Sequence, residues 1–454
     1  MRERLEAAVQ GLDADYCEIR VENATSTHIG YRIRELESIG SSAALGGNIR
    51  AAVDGGWGFV SFNELDGLEE KVALAVRQAR QAARDGTRLA PVEPATEVVP
   101  TEVVKDPAEV SLADKKALMD EYVEAALSVS DKIQTSQIYY SDSFRKVRFA
   151  SSAGSFIEQD RMQVRAAGSI SAREGAEIQT GRTSRTSTSD FGAVEGLHEE
   201  FAGAGQRAVD LLKASPARSG EFVVVMDPTL ASVFIHEAFG HLSEADHVYE
   251  NPPLRELLEL GKEFGPPILN VVDSAAEPGL SGSFKYDAEG VPAGKNYLIE
   301  EGRLVGRLHS RETAGQMGEA LTGNARAISY RHPPIVRMTN TSIEAGETSF
   351  ADMIADIDEG IYAVNWLGGQ TAMEMFTFRA MEGFMIRKGK LAEPLRGVTL
   401  TGNVFDTLKA IDAVGDDFRW DPGGGNCGKG GQSGLPVGNG APHVRLARCV
   451  IGGV

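Results

Sequence analysis

The chain has 454 residues, 42% of them hydrophobic and 24% charged, which is typical of a folded protein with two or three domains. Its formal net charge of −19 disfavours nonspecific binding to DNA or RNA, which requires a basic surface. The sequence contains no apolar run of about 18 residues, so no membrane span is predicted. Its charged start lacks the apolar core of a signal peptide. Its three widely spaced cysteines do not resemble a disulfide framework. We therefore expect a cytoplasmic protein without a nucleic-acid or membrane partner.

Residues 1–87 alternate helix and strand patterns and are predicted to form an N-terminal α+β domain. The expected elements are a helix, two paired strands, a hairpin and a second helix. The first helix covers residues 1–11, the paired strands cover 16–22 and 27–42, the hairpin covers 48–64, and the second helix covers 68–86. Gly55 and Gly56 suit the turn of the hairpin, and the second helix is expected to end at Gly86.

Residues 88–110 contain four prolines and little periodicity, which predicts a linker. Residues 111–215 then predict a middle α+β domain. Its expected elements are a helix at 111–130 capped by Ser111, a β-meander at 132–188 and a helix at 193–213.

Residues 219–454 predict a glycine-rich, mostly β C-terminal domain that carries one important helix. Residues 221–226 (EFVVVM) form a short apolar run typical of a buried strand. Asp227 suits a helix N-cap, and Pro228 suits the first helical position, where its missing N–H is no loss. The fold class expected for the whole chain is therefore α+β.

The helix after Pro228 reaches a motif with two histidines, His236-Glu237-Ala-Phe-Gly240-His241. It is one residue longer than HExxH, in which two imidazoles hold zinc and the glutamate acts on the metal's water. In a regular helix, residues i and i+5 point about 140° apart and could not share an ion. We therefore expect a π-bulge or a helix end between Glu237 and His241, where Gly240 weakens the helix.

Two histidines do not complete a catalytic zinc site, which commonly has three protein ligands and a water. Local candidates for the third ligand are Glu244, Asp246 and His247, and distant candidates are Cys427, Cys449, His309, His332 and His443. Cys427 is favoured because a thiolate is a strong zinc ligand and because glycines on both sides (PGGGNCGKGGQSG) allow a close approach. Cys449, in LARCVIGGV, is more simply a buried strand residue.

The same glycine-rich segment is close to a phosphate-binding loop, but the pattern is incomplete. Residues 423–430 read GGGNCGKG, so Gly430 replaces the hydroxyl residue that would hold magnesium, and no helix pattern follows. A nucleotide site is therefore not expected here.

Several blocks in order give the chain a resemblance to the TldD/PmbA family, in particular to its TldD-type subunit rather than to the metal-lacking PmbA (TldE) relative. The matching blocks are HEAFGHLSEAD (236–246), SGSFKYDAEGVPA (281–293), LTGNARA (321–327), RMTNTSIEAG (337–346) and GNCGKGGQSGLPVGNG (425–440). The resemblance, with its three-part layout, extends over nearly the whole chain.

The resemblance implies a cytoplasmic Zn²⁺ metallopeptidase that hydrolyses unfolded or linear peptides. It carries the metal ligands onto His236, His241 and Cys427, and the general base onto Glu237. It also implies a homodimer, or a heterodimer with a PmbA/TldE-like subunit. Family members have also been called modulators of DNA gyrase, but the acidic composition argues against direct contact with DNA.

Two other functions stay open from the sequence. One is a zinc amidohydrolase of small modified amides, which would use the same site on a different substrate. The other is a noncatalytic peptide-binding subunit of a heteromer, which would have no need for Glu237 beside the histidines.

Overall fold

The computed structural model describes residues 1–83, 87–372 and 374–452. Within these residues the protein is a mixture of helices and sheets, so the predicted α+β class is confirmed. None of the described helices has the length and apolar content needed to cross a membrane. The predicted helix end at Gly86 lies outside the described residues.

One mostly antiparallel sheet combines strands from the N-terminal and middle regions. Its strands are β1 (Tyr16–Arg32), β2 (Glu35–Val53), β3 (Gly56–Phe62), β4 (Thr96–Val99), β5 (Ile133–Ser151), β6 (Phe156–Glu174) and β7 (Glu177–Ser187). They lie in the order β3-β2-β1-β5-β6-β4, and β7 pairs with β6. Since β1 pairs with β5, the two regions share one sheet, and β4 of the proline-rich segment adds to it in parallel with β6.

The first hairpin differs from the sequence prediction of two strands at 16–22 and 27–42. Residues 16–32 form the single strand β1, and the chain reverses only at residues 33–34, where Ile33 takes a positive φ of 55°. β1 continues through the polar residues near Asn23 because it is paired on both sides there, with Leu45 of β2 and Lys146 of β5. Ladder hydrogen bonds on both edges override the weak strand propensity of that stretch. The predicted second hairpin, from β2 to β3, is confirmed.

Four helices cover the faces of this shared sheet in the described residues. They are α1 (Arg2–Ala8), α2 (Leu68–Gln81), α3 (Leu112–Leu127) and α4 (His198–Leu211). Ser111 caps α3 as predicted, since its side chain accepts a hydrogen bond from the Asp114 N–H. The helix predicted from residue 193 begins only at His198, because Gly196 adopts the left-handed region (φ 70°).

The C-terminal region contains two further sheets with helices between and around them. The first consists of β10 (Val271–Ser274), β11 (Lys295–Glu300), β12 (Arg303–Leu304), β15 (Asn340–Ile343), β21 (Arg419–Trp420), β22 (Gly425–Lys429) and β23 (Gln432–Ala441). The second consists of β8 (Ser215–Pro216), β9 (Gly220–Met226), β16 (Glu359–Ala372), β17 (Met375–Arg387), β18 (Lys390–Arg396), β19 (Thr399–Asn403), β20 (Ile411–Val414) and β24 (Val444–Gly452). A short pair, β13 (Ala325–Arg326) and β14 (Ile335–Val336), lies apart from both.

The helices of this region are short. They are α5 (Pro228–Ile235), α6 (Ala245–Glu250), α7 (Pro252–Leu257), α8 (Arg311–Met317), α9 (Phe350–Ala355) and α10 (Val404–Lys409). α5 packs against β23 and β15 of one sheet and against β16 and β9 of the other. Its side chains Leu230, Phe234 and Ile235 are fully buried in the largest core cluster. At about 1.5–3 kcal/mol for each large apolar side chain, this burial holds the helix firmly between the sheets.

Candidate metal centre

The start of α5 is fixed by the residues that the sequence singled out. Strand β9 ends at Met226, and the Asp227 carboxylate accepts hydrogen bonds from the Leu230 N–H (2.9 Å) and the Asn365 N–H (2.8 Å). Pro228 occupies the first helical turn. The predicted strand, cap and helix are confirmed, and the Asn365 contact ties the helix start to β16.

The helix changes its winding where the two histidines lie. Residues His236–Gly240 form a π-helical turn, in which the His241 N–H donates to the carbonyl of His236, and a 3₁₀ turn follows at His241–Ser243. The predicted distortion is confirmed. The wider turn takes up the extra residue of the motif, and the imidazole rings lie with their centroids 5.4 Å apart at an interplanar angle of 83°.

Gly240 has a packing role in addition to the expected one. Its φ of −55° is an ordinary helical value, so the position does not need glycine for its backbone conformation. A Cβ at this position would lie 2.1 Å from the Sδ of the fully buried Met338. Gly240 is therefore required because the turn packs directly against Met338.

The third residue of the cluster comes from the hairpin of β22 and β23. Gly430 and Gly431 form its turn with φ values of 58° and 76°, the left-handed conformation that tight hairpins need. The Sγ of Cys427 lies 3.4 Å from the Nε2 of His241. One donor atom from each of His236, His241 and Cys427 lies within 4.8 Å of the others.

The charges of this cluster favour a cation. Burial would raise the pKa of the Cys427 thiol, but hydrogen bonds and charge from His236 and His241 outweigh it and lower the pKa to about 5. Burial would likewise lower the pKa of His241, but its bonds to Cys427 and Glu244 raise it to about 10. The protein thus stabilises a thiolate beside two imidazoles, and a metal ion can replace the proton that His241 would otherwise keep.

The donor set fits zinc. Two imidazole nitrogens and one thiolate are ordinary zinc ligands, and three protein ligands leave room for a water or substrate. The buried Nδ1 of His236 forms no hydrogen bond with any described residue. An unpaired polar atom in the core costs free energy, so this ring is better suited to holding a ligand than to a purely structural role.

Glu237 projects toward the same cluster. Its Oε2 lies 4.0 Å from the Nε2 of His241, its side chain is 32% exposed, and its carboxylate forms no hydrogen bond with another residue of the described ranges. The carboxylate is therefore close to the donor atoms and available to a water.

Sequence reasoning missed the role of Glu244, which it considered only as a possible third ligand. The fully buried Glu244 carboxylate lies 3.1 Å from the Nδ1 of His241 and 3.1 Å from the Nζ of Lys429. Burial by itself would raise the pKa of Glu244, but the hydrogen bond to His241 and the charge of Lys429 lower it below its ordinary value. Glu244 therefore turns the Nε2 of His241 toward Cys427. Its i+3 spacing from His241 was the available signal.

Asp246 and His247, the other local candidates, lie outside the donor cluster. The Asp246 carboxylate accepts from the Nζ of Lys429 at 2.6 Å, which anchors the hairpin to α6. The His247 side chain is 51% exposed, with its Nε2 4.0 Å from Glu244.

The distant candidates other than Cys427 also lie elsewhere. His309 bonds to Thr313 and Glu319, and His443 bonds to Asp417 and Tyr362. His332 lies in a loop and is not part of the cluster. Cys449 is buried on β24, as expected, and burial raises the pKa of its thiol to about 12. The segment around Gly430 is a hairpin without a following helix, in agreement with the exclusion of a phosphate-binding loop.

Comparison with known proteins gives family matches in all three regions of the chain. Residues 219–453 match the PmbA/TldA metallopeptidase C-terminal domain, residues 17–83 match domain 1 of these metallopeptidases, and residues 105–215 match their central domain. These matches include every residue of the cluster.

Individual relatives agree with these matches. A metalloprotease of Synechocystis is 49% identical over 441 residues, which cover 97% of this chain and 95% of that protein. A zinc metalloprotease TldD homolog of Saccharolobus solfataricus is 34% identical over 69% of this chain and 70% of that protein. The crystal structure of TldE from Thermococcus kodakarensis shares the fold, with a TM-score of 0.74 over 100% of this chain and 99% of that chain at 18% identity.

Proposed function

The chain belongs to the PmbA/TldD metallopeptidase family, and we propose that it is a zinc-dependent peptidase of the TldD type. In this proposal His236, His241 and Cys427 hold the zinc ion, and Glu237 is the general base. The observation that carries the proposal is the approach of three zinc-type donor atoms to within 4.8 Å of one another, from two segments 186 residues apart. The names of the curated relatives, metalloprotease and zinc metalloprotease, support the same assignment.

When bound, zinc supplies a water of lowered pKa and polarises the carbonyl of the scissile bond. Glu237 accepts the proton of that water and transfers it to the departing amine, so one carboxylate serves both proton transfers. Its Oε2 lies 4.0 Å from the Nε2 of His241, so the carboxylate is beside the proposed zinc ligands. Glu244 keeps His241 oriented throughout.

We propose unfolded or linear peptides as substrates and a second subunit as partner. A homodimer and a heterodimer with a TldE-like chain are both compatible with the fold likeness to TldE. A reducing compartment such as the cytoplasm suits the site, since Cys427 must remain a free thiolate to bind zinc.

Two other functions compete with this proposal. A zinc amidohydrolase would cleave small amides and leave peptides intact. A noncatalytic peptide-binding subunit would have no use for a carboxylate at Glu237, so a partly exposed carboxylate 4.0 Å from the Nε2 of His241 favours catalysis.

The proposal is tested by measuring zinc content and cleavage of an unfolded peptide in four variants. Glu237→Gln should retain zinc and lose cleavage by about 10²–10⁴-fold, because the proton acceptor is removed. Cys427→Ala should lose zinc and activity together. The matched controls are the exposed Glu256→Gln and the buried strand thiol variant Cys449→Ala, both of which should keep zinc and activity.

Full activity in Glu237→Gln would refute the general base. Unchanged zinc affinity in Cys427→Ala would refute the ligand set. Cleavage of small amides without cleavage of any peptide would favour the amidohydrolase.

A further inference from the structure

A cavity of about 720 Å³ lies between the shared sheet and the C-terminal region. Its wall includes Arg145 and Arg161 from β5 and β6, together with Phe284 and Arg326 from the C-terminal region. This volume is within the range of ligand sites in proteins, which is about 300–1,000 Å³. The chain as a whole is strongly acidic, so a cavity with three arginines in its wall is a local reversal of charge.

Two of these arginines form no ion pair with any residue in the described ranges. Arg326 is 4% exposed and donates to the carbonyls of Met338 (2.6 Å) and Pro436 (2.7 Å). Arg161 donates to the carbonyl of Tyr286 at 3.2 Å. The Nε atoms of both arginines are buried without a hydrogen-bond partner among the described residues, so neither guanidinium is fully paired within the protein.

Both guanidinium groups lie over the ring of Phe284. The Cζ of Arg161 is 4.7 Å from the ring centroid, and the Cζ of Arg326 is 5.4 Å from it. This cation–π contact fixes the two groups in position without neutralising them. Arg145 adds a third positive charge nearby, with its Nη1 3.8 Å from Glu22 and 2.9 Å from the carbonyl of Ile328.

The cavity wall contains four cationic side chains (the three arginines and Lys285) and three acidic ones (Glu102, Asp160 and Glu277), so its formal net charge is +1. Asp160 is paired with Lys146 at 3.0 Å, and Glu102 and Glu277 form no ion pair within the described part of the chain. Burial, together with the charges of Arg20, Arg326 and Arg145, lowers the pKa of Arg161 to about 9. The group stays charged at neutral pH but is under electrostatic repulsion, which an anion would relieve.

The cavity adjoins the metal centre. Leu435 and Pro436 of β23 line the cavity, and Leu435 is the direct cross-strand neighbour of Cys427 in β22. Directly paired residues of neighbouring strands lie about 5 Å apart. None of His236, Glu237, His241 and Cys427 lines the cavity, so a peptide anchored there would have to extend past the hairpin to reach them, at about 3.3 Å per residue.

We propose that this arginine cavity binds a carboxylate of the peptide substrate and thereby makes peptides with a free carboxylate the preferred substrates. The inference rests on the proposed function, since it assigns a substrate class to the same site. Guanidinium groups suit a carboxylate because their planar N–H donors can bind both of its oxygens. The carboxylate comes either from the peptide's C-terminus or from an aspartate or glutamate side chain.

The test measures binding of three dye-labelled linear peptides to zinc-loaded protein by fluorescence polarisation. One peptide is uncharged and amidated, one has the same sequence with a free C-terminal carboxylate, and one is amidated with an internal glutamate. Wild type should bind at least one of the two carboxylate peptides about tenfold more tightly than the uncharged peptide. The peptide that shows the preference identifies the source of the carboxylate.

Four variants test whether the arginines of the cavity cause the preference for carboxylate peptides. Arg161→Gln should abolish it with little change in the affinity for the uncharged peptide, and Arg161→Lys should retain most of it. Arg145→Gln, at a side chain that is 35% exposed, should weaken it and serves as a second variant in case Arg161→Gln misfolds. Arg173→Gln removes an exposed arginine from the same strand β6 outside the cavity and should bind like wild type.

Equal binding of all three peptides by wild type, or binding of none, would overturn the inference. So would a preference that persists in both Arg161→Gln and Arg145→Gln. Mass spectrometry of the peptides after each titration tests the proposed function separately. A carboxylate preference without cleavage would contradict the peptidase alone, whereas cleavage without preference would contradict the cavity's role alone.

Discussion

The hydrogen bond between Glu244 and His241 is the contact that orients the candidate ligand ring. The carboxylate lies 3.1 Å from Nδ1, which leaves Nε2 to face Cys427. A carboxylate behind a metal-binding histidine fixes the ring and raises its basicity, and losing it commonly weakens metal binding about 10–100-fold. We predict a loss of this size in zinc affinity for Glu244→Gln, measured by competition with a chelator.

Asp246→Asn is the matched control for Glu244→Gln. Asp246 shares Lys429 with Glu244 but does not contact His241, so its substitution should leave zinc affinity close to that of wild type. Equal losses in both variants would mean that the anchoring of Lys429, rather than the orientation of His241, controls the site.

At the scale of residues, the sequence predicted the candidate site residues that lie close together along the chain. His236, Glu237 and His241 fall within one motif, so the chemistry of their side chains was evident from the order of residues alone. Cys427 needed the glycine context and the family resemblance, since nothing local connects it to a histidine 186 positions away. The role of Glu244 was not predicted although its i+3 spacing from His241 indicated it, whereas the roles of Arg161 and Arg326 depend on tertiary contacts.

At the scale of elements, the π turn at His236–Gly240 distinguishes this helix from that of an HExxH site. The turn packs so closely on Met338 that a Cβ at Gly240 would lie 2.1 Å from its sulfur. We predict that Gly240→Ala displaces Met338 or the turn, lowers the free energy of unfolding by about 1–3 kcal/mol, and weakens zinc binding. Denaturant unfolding and zinc titration would measure the two effects.

Gly203→Ala gives the comparison for that substitution. Gly203 lies within α4, where an added Cβ would meet no atom within 4 Å. Alanine favours a helix over glycine by about 0.5–1 kcal/mol, so this variant should be as stable as wild type or slightly more so, with unchanged zinc affinity. A Gly240→Ala protein indistinguishable from Gly203→Ala would contradict the packing role of Gly240.

Helices and strands were predictable where neighbouring residues determine them, and less predictable where pairing between distant strands determines their length. The cap at Asp227 and the distorted turn followed from sequence because they depend on neighbouring residues. The length of β1 did not, because its polar centre is held in the sheet by β2 and β5 on either side. Strand pairing between distant segments is a tertiary property that a single sequence does not show.

At the scale of the whole molecule, Arg50 ties the N-terminal region to the C-terminal one. Its buried guanidinium forms ion pairs with Glu18 of β1 and with Glu289, in the loop before β11. Arg50→Met would leave two carboxylates buried without a positive partner, which costs about 3–5 kcal/mol. We predict a large decrease in the denaturant midpoint of unfolding.

Arg34→Met provides the matched change at the surface. Arg34 pairs with Glu124, and both side chains are 59% exposed, so solvent screens the interaction and the midpoint should change little. Equal effects of the two variants would show that the Arg50 contacts do not stabilise the junction between the regions.

The sharing of one sheet by the first two regions was beyond sequence reasoning. The hydrophobic patterns gave the strands of each region, but nothing in them shows that β1 pairs with β5 across the proline-rich segment. The family matches at 17–83 and 105–215 treat the two regions separately, while their strands lie side by side in a common sheet.

The coordination of zinc by His236, His241 and Cys427 is tested most directly by zinc K-edge X-ray absorption on the zinc-loaded protein. We predict one sulfur ligand at about 2.3 Å together with nitrogen or oxygen ligands at about 2.0–2.1 Å. Any zinc that Cys427→Ala still binds when zinc is supplied in excess should show no sulfur ligand, and in Cys449→Ala the sulfur contribution should remain. A wild-type spectrum without sulfur, or a sulfur contribution that survives in Cys427→Ala, would contradict the proposed centre.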